Sequence, residues 1–354
     1  MTDLMRAAVL YAAGDVRVQD YPEPALTPGM VLVRVQRAGM CGSDLHYFHD
    51  GCCGAFVPTR PFVLGHELSG VVAAVAADVD GLAVGTRVAV NPARACDRCA
   101  YCRAGRRNLC RRTVMLGSAS TRPPTDGGFA HLVAVRADQC HRLGDLDHAV
   151  GAMIEPLAVA LHAVRRAGMP VAARVLITGG GPIGLLIAMT ARALGAVQVV
   201  VSDPSPGRRE TALARGVDDV DDPSDPNLPD LGGELPDGGF DVAFEASGAP
   251  AALRQLFDLV RPGGTIVQVG TLSTGDVLLP ASQVMAREIT LLGSFRYGDV
   301  FDDAIALVRS GRVDVASLVS RVFPLEDAAQ ALAAAADPGT AIKVQLQIAS
   351  DPDA

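Results

Sequence analysis

From Arg6 to Val35 apolar and polar residues alternate in short runs, as in Val16-Arg17-Val18-Gln19 and Val31-Leu32-Val33-Arg34-Val35, with Pro22, Pro24, Pro28 and Gly29 between them. A period of two turns one face of the chain toward a core and the other toward water, so the pattern predicts half-buried strands joined by turns. Strands of the same kind are expected at 70–75 and 87–90, which makes the first part of the chain β-rich with long loops. At Arg174-Val175-Leu176-Ile177-Thr178 the pattern changes to a continuous apolar run of buried-strand type, followed by a glycine turn and a helical stretch over 185–194. Further buried-strand runs at 197–201, 241–245, 264–270 and 289–292 extend the pattern. Strand and helix patterns in alternation imply parallel βαβ units. The tail holds helix patterns at 301–309 and around 325–335 and ends strand-like at 341–346, whereas 217–239, dense in Asp, Pro and Gly, reads as a solvated connection. The fold class is α/β, with a β-rich domain and a doubly wound domain.

At 354 residues the chain is too long for one typical core, which agrees with about two domains. A net charge of −8 and a pI of about 5.4 argue against a nucleic-acid partner held through phosphates and fit a well-solvated surface. The first ten residues place Arg6 inside a short apolar run with no small-residue cleavage site after it, so no signal peptide is read. The most hydrophobic region, 175–201, is broken by Gly179, Gly180, Gly181, Pro182 and Arg192, so no membrane span is expected and the protein is placed in the cytoplasm. In that setting eight cysteines point to metal or redox groups rather than disulfides.

Two cysteine-containing patterns carry metal chemistry. In Gly39-Met40-Cys41-Gly42-Ser43-Asp44-Leu45-His46-Tyr47 and Gly65-His66-Glu67, a thiolate, an imidazole and a carboxylate come from two separate loops. Those are the protein ligands of a catalytic zinc that keeps a fourth position open; alone, Cys41 is equally a small buried hydrophobe and His66 a structural histidine. Cys96, Cys99, Cys102 and Cys110 are spaced for a closed tetrathiolate, a structural zinc site. The other readings are two strained local disulfides or four unconnected cysteines. Arg94, Arg98, Arg103, Arg106 and Arg107 nearby either offset that negative charge or form a solvated basic face. Cys52, Cys53 and Cys140, and His49, His131, His141, His148 and His162, lack partners at metal spacing and are read as packing or surface residues. Glu155 precedes Pro156, which suits the first turn of a helix, so the acid favours the helix dipole or, beside a zinc site, serves as a ligand or a neighbour of one.

The glycine turn Gly179-Gly180-Gly181-Pro182-Ile183-Gly184 stands between a buried strand and a helix, the context that makes it a dinucleotide-binding signature. Gly179 permits the tight turn, Gly181 lets a pyrophosphate approach the backbone, and Gly184 allows close helix–strand packing. Asp203 ends the next strand, where it would bond the adenosine ribose and repel a 2′-phosphate; NAD is therefore favoured over NADP, with Arg208 and Arg209 close enough to keep NADP open.

These residues together resemble the zinc-dependent medium-chain alcohol dehydrogenase family nearly end to end. Cys41-Gly42-Ser43-Asp44, Gly65-His66-Glu67, the four cysteines, Glu155-Pro156, the glycine turn and Asp203 follow the family's order. Asp44-Leu45-His46-Tyr47, Glu155-Pro156-Leu157-Ala158-Val159 and Ser294-Phe295-Arg296-Tyr297 resemble its polyol dehydrogenases. Gly117-Ser118-Ala119 with Gly127-Gly128-Phe129-Ala130 is similar to the L-idonate 5-dehydrogenase branch. The resemblance implies a GroES-like catalytic domain over 1–156, a Rossmann domain over 157–294 and a return to the catalytic domain over 295–354. It implies zinc held by Cys41, His66 and a glutamate, either Glu67 with Glu155 on the bound water or the reverse. Ser43 and His46 would relay the proton of the activated alcohol, and Gly179, Gly181, Pro182, Ile183, Gly184, Asp203, Arg208, Val269 and Ser294 would hold the cofactor. Tyr47 and Arg296 would contact substrate, the guanidinium being able to hold a carboxylate.

The reaction implied is reversible NAD-dependent oxidation of a secondary hydroxyl of a sugar acid or polyol, with L-idonate to 5-keto-gluconate foremost and sorbitol, xylitol or L-threonine as substrates of the same class. From another class, a nicotinamide-binding redox sensor without catalysis is opposed by Cys41, His66, Glu67, Ser43 and His46 standing together. A homotetramer or homodimer is also implied.

Overall fold

In the computed structural model, which describes residues 3–224, 238–272, 275–337 and 341–349, the N-terminal alternation becomes two sheets. Strand Met30–Gly39 buries Val31, Val33 and Val35 and exposes Arg34, as period two requires. It pairs antiparallel with Glu67–Val75 on one side and, on the other, with Leu132–Arg136 along its first half and Lys343–Gln347 along its second. Arg87–Val90 and Cys140–Arg142 extend the sheet past Glu67–Val75, and Val319–Pro324 extends it past Lys343–Gln347. A smaller sheet of Asp15–Pro22, Leu4–Ala12 and Phe62–Val63 closes over the same core.

The second sheet is parallel throughout, in the order Asp219–Asp221, Gln198–Ser202, Arg174–Thr178, Phe240–Glu245, Val260–Gln268, Thr290–Gly293. This is the doubly wound order, whose strand direction of growth reverses beside Arg174–Thr178 and opens a crevice there. Both faces are covered: Val175, Ile177, Val199 and Val201 enter one core with helices Ile154–Ala167 and Pro182–Ala193, while Leu176 and Val200 enter another with helix Pro250–Leu259. Burial on both faces is why these strands are continuous apolar runs. Fully burying each such side chain stabilises the fold by roughly 1.5–3 kcal/mol before entropy is counted.

Three segments differ from the sequence reading. The connection at 217–239 contains a short strand, Asp219–Asp221, because Val220 and Asp221 pair with Val201 and Ser202 at the sheet edge; its residues 225–237 lie outside the described residues. The helix pattern around 325–335 opens with a 3-10 turn, Leu325–Asp327, before helix Ala328–Ala335. Residues 297–318, read as part of the return to the β-rich domain, bury Tyr297, Phe301, Ala304, Ile305, Val315 and Leu318 with helix Ile154–Ala167 and also reach the β-rich domain through Tyr297 to Asn91, Asp302 to His141 and Arg309 to Leu143 O. Among the described residues no helix is long and apolar enough to cross a membrane.

Candidate active site and metal centres

Cys41 caps helix Gly42–Asp50, and Asp44 in the first turn binds both loops of the cluster. Asp44 Oδ2 accepts from the Cys41 N–H at 3.0 Å, and Oδ1 accepts from the Gly65 N–H at 3.1 Å and lies 3.9 Å from His66 Nδ1. Gly65 has φ +91°, and a Cβ there would overlap the Phe129 ring at 2.2 Å, so the turn presenting His66 admits only glycine. One ligand-type atom each of Cys41, His66 and Glu67 lies within 4.8 Å of the others. Sulfur, nitrogen and oxygen donors converging in a largely buried spot suit zinc. Burial opposes the His66 imidazolium, but the neighbouring Cys41 thiolate and Asp44 carboxylate outweigh it and raise its pKa.

Glu155 lies in the first turn of helix Ile154–Ala167 and shares the electrostatic field of His66 and Glu67. Burial pushes its carboxyl up to about 7, with His66 opposing. The Glu67 carboxylate faces Lys343, whose Nζ is 2.7 Å from Oε1 and 2.5 Å from Oε2. Sequence reading missed Asp44 as the tie between the loops, although an acid three residues after a cap is a recognisable signal. It missed Lys343 altogether, because 276 positions separate it from Glu67.

The four cysteines of the lobe also converge within 4.8 Å, and none is in a disulfide. Cys110 Sγ accepts from the N–H groups of Cys96 at 3.3 Å and Arg112 at 3.4 Å. Burial works against the Cys110 thiolate, but these backbone donors prevail and lower its pKa; a backbone N–H of Cys102 does the same for Cys99. Burial and the hydrogen bond with Cys99 push the Cys102 thiol the other way, up to about 12, so the convergence of four sulfurs with no other ligand type is what fits a structural zinc. Arg107 pairs with Asp97 at 2.9 Å and Asp138 at 3.2 Å, so it belongs to a surface ion-pair network. Burial pushes the thiols of Cys53 and Cys140 up to about 11 and about 12, as befits packing residues; Cys52 is half-buried and free.

A cleft of about 720 Å³ runs from this cluster to the glycine turn, with Cys41, Glu67, Gly181, Asp203, Ser247 and Lys343 among its walls. Gly179 adopts φ +98°, and a Cβ on Gly184 would strike Gly179 O at 1.8 Å, whereas a Cβ on Gly181 would meet nothing within 4 Å. Open space above Gly181, at the N-terminus of helix Pro182–Ala193, is a cradle for a pyrophosphate. Pro182 and Ile183 also line the cleft.

Asp203 accepts from the N–H of Gly180 at 2.7 Å and of Ser205 at 2.8 Å, with Arg208 Nη1 at 3.5 Å. Arg209 is held by Asp222 at 2.9 Å. Glu245 fixes the facing loop: its Oε1 accepts from Ser247 N–H, Ser247 Oγ–H and Gly248 N–H at 2.6–2.7 Å. Val269 N–H donates to Glu245 O at 2.8 Å, and Ser294 Oγ is buried with no hydrogen-bond partner among the described residues.

Ser43 is half-buried and His46 exposed, three residues apart on helix Gly42–Asp50 and so on one face; His46 Nδ1 stands 3.0 Å from Asp50. Arg296 has φ +54°, stacks its guanidinium 4.8 Å from the Phe295 ring centre and interacts electrostatically with Glu155. Tyr47, expected at the substrate, is only 1 % exposed, packs edge-on against Phe62 and accepts the Ala119 N–H at 2.9 Å. The opposite face of its helix is the one turned outward, so Tyr47 acts here as a core residue.

Residues 27–145 match the alcohol dehydrogenase GroES-like domain and residues 182–310 the zinc-binding dehydrogenase domain. The chain is 36 % identical to an L-idonate 5-dehydrogenase of Vitis vinifera, over 97 % of this chain and 94 % of that one. It is also 36 % identical to a sorbitol dehydrogenase of Bacillus subtilis, over 93 % and 92 % of the two chains. The crystal structure of L-idonate 5-dehydrogenase from Escherichia coli superposes with a TM-score of 0.92 at 35 % identity, covering 98 % of this chain and 99 % of that one.

Proposed function

This chain belongs to the zinc-binding alcohol dehydrogenase family with a GroES-like domain, oxidoreductases acting on CH–OH groups, and we propose that it oxidises a secondary hydroxyl of a sugar acid with NAD, L-idonate to 5-keto-gluconate being the specific reaction. The observation that carries this reading is the shared cleft: Cys41 and Glu67 line the same cleft as Gly181 and Asp203, so one cavity would serve both a hydroxyl at the cluster and a dinucleotide on the glycine turn.

Zinc, when bound, supplies the positive charge that acidifies the hydroxyl. Cys41 and His66 would hold it with Glu67 or Glu155, Asp44 orients the two loops, and Glu155, whose carboxyl burial pushes up to about 7, would keep or pass a proton near pH 7. The alcohol proton leaves along the helix face of Ser43 and His46, since exposed His46 reaches solvent. Arg296 takes the substrate carboxylate, and burial, which disfavours its charge, strengthens its demand for an anion. Asp203 in the cleft wall supports NAD over NADP, since its carboxylate would repel a 2′-phosphate, and Arg208 and Arg209 are both engaged by carboxylates. Val269 and Ser294, near the sheet edge, complete the nicotinamide side.

Eight unpaired cysteines fit a reducing cytoplasm. Thr290–Gly293 ends the parallel sheet, and Leu278, Met285 and Leu291 near it are exposed. A second copy pairing along this edge would cover all of them, which supports a homodimer, or a homotetramer built from two. Sorbitol oxidation is the second reading, favoured by the equal identity to the Bacillus relative.

NADH formation against L-idonate, gluconate, sorbitol, xylitol and L-threonine tests the proposal. L-Idonate should give the highest kcat/KM. Reaction with threonine alone overturns the sugar-acid and polyol reading together, and absence of turnover in zinc-replete enzyme favours a redox sensor.

A further inference from the structure

Lys343 is the only lysine in the sequence; every other Lys or Arg position is arginine. A chain that otherwise uses guanidinium for its long cationic side chains has kept one ammonium, and has put it in the wall of the cleft at 3 % exposure. Its Nζ meets both oxygens of Glu67, at 2.7 and 2.5 Å, and donates to Met40 O at 2.8 Å. Two of the ammonium's three donors are used, on Glu67 Oε1 and Met40 O, while Glu67 Oε2, in ion-pair contact only, has no hydrogen bond among the described residues. The strand register delivers these contacts, because Gly39 pairs with Glu67 on one side and with Gln345 on the other. Gly39 itself makes the room: a Cβ there would stand 2.3 Å from Glu67 Oε2 and 3.3 Å from Lys343 Cε. A planar guanidinium is bulkier than this gap and would meet Glu67 as a fork rather than as a point charge.

We infer that Lys343 is a positioning residue that competes with the catalytic metal for the Glu67 carboxylate and so weakens the Glu67–metal bond. The inference rests on the proposed zinc centre and deepens it. Glu67 offers an oxygen to the cluster of Cys41 and His66 while both its oxygens lie against the ammonium. A carboxylate shared in this way donates less charge to the metal, which leaves the metal a stronger acid toward a hydroxyl. Removing the ammonium takes a positive charge from beside a divalent ion and releases Glu67 to bind it, and both effects tighten the metal.

The test is chelator-driven zinc release from the holoenzyme, with the zinc of the cysteine lobe as internal control. In K343M release of the catalytic zinc should slow about ten- to a hundredfold, release from the lobe should not change, and kcat should fall more than the KM for NAD rises. K343R keeps the charge but not the fit, so its release rate should fall between those of the wild type and K343M. Unchanged or faster release in K343M overturns the inference, since a merely structural lysine would loosen the site when lost. A wild-type enzyme that binds zinc only in its lobe overturns the metal centre itself, before any variant is compared.

Should K343M not fold, the wild type supplies the reading. With one lysine, amine acetylation followed by mass spectrometry reports Lys343 directly. It should label faster in zinc-loaded than in zinc-stripped enzyme, because the metal draws Glu67 away; equal or slower labelling counts against the inference.

Discussion

The Asp44 carboxylate lies 3.9 Å from the His66 imidazole while accepting the backbone N–H of Gly65, so one wholly buried acid sets the position of a residue 22 places further along the chain. Asp44→Asn keeps the size but loses the charge and an acceptor. It should cost about 10–100-fold in zinc affinity at this cluster, read by metal content after dialysis. Asp44→Ala strands two buried N–H groups and should also lower stability by roughly 1–3 kcal/mol per group, read by urea denaturation.

The two cysteine sites should separate on mutation. Cys41→Ser should abolish turnover, leave about one zinc of two in place and barely move the melting temperature. Cys99→Ser should remove the other zinc and destabilise the lobe. An active Cys41→Ser enzyme holding a full complement of zinc would falsify the assignment.

In the glycine turn, space decides the outcome. Gly181→Ala meets nothing within 4 Å in the protein and should leave stability within about 0.5 kcal/mol, yet raise the KM for NAD because its methyl occupies the pyrophosphate cradle. Gly184→Ala drives a Cβ into Gly179 O and should destabilise the protein by about 1–3 kcal/mol through overpacking. Equal effects on stability from the two variants would contradict the geometry.

Asp241 gives a pH signature. Burial works to raise its carboxyl, but the Arg174 N–H at 2.8 Å and Arg261 Nε at 2.7 Å prevail and hold it below the usual range. The folded chain therefore binds this proton less tightly than the unfolded chain. Its stabilisation is present above the unfolded value near 3.8 and is lost as pH falls through the lower folded value. Asp241→Asn should flatten the acid limb of a urea-midpoint profile and leave its slope above pH ~6 unchanged.

What the sequence disclosed and what it hid divide along chain separation. Cys41, His66, Glu67, the four lobe cysteines and the glycine turn are local patterns, and the structure brings each set together as a cluster or a turn. The parallel sheet was legible for the same reason, since buried strands announce themselves as apolar runs. Lys343, Glu245 and the partners of helix Phe301–Arg309 were not, because their roles arise only when distant segments meet. A helical period says that one face is buried, not against which domain. Tyr47 shows the same limit on a smaller scale: its neighbour His46 faces water while it faces the core, a difference that only packing reveals.

The late strand Lys343–Gln347 sits inside the first sheet, between Met30–Gly39 and Val319–Pro324. A nascent chain leaving the ribosome therefore completes its nucleotide-binding half, a continuous stretch, while the sheet begun at Met30 still has a gap in it. Folding of the N-terminal domain must end with the last strand made, so a message truncated shortly before Lys343 would yield a dinucleotide-binding body carrying an unfinished partner.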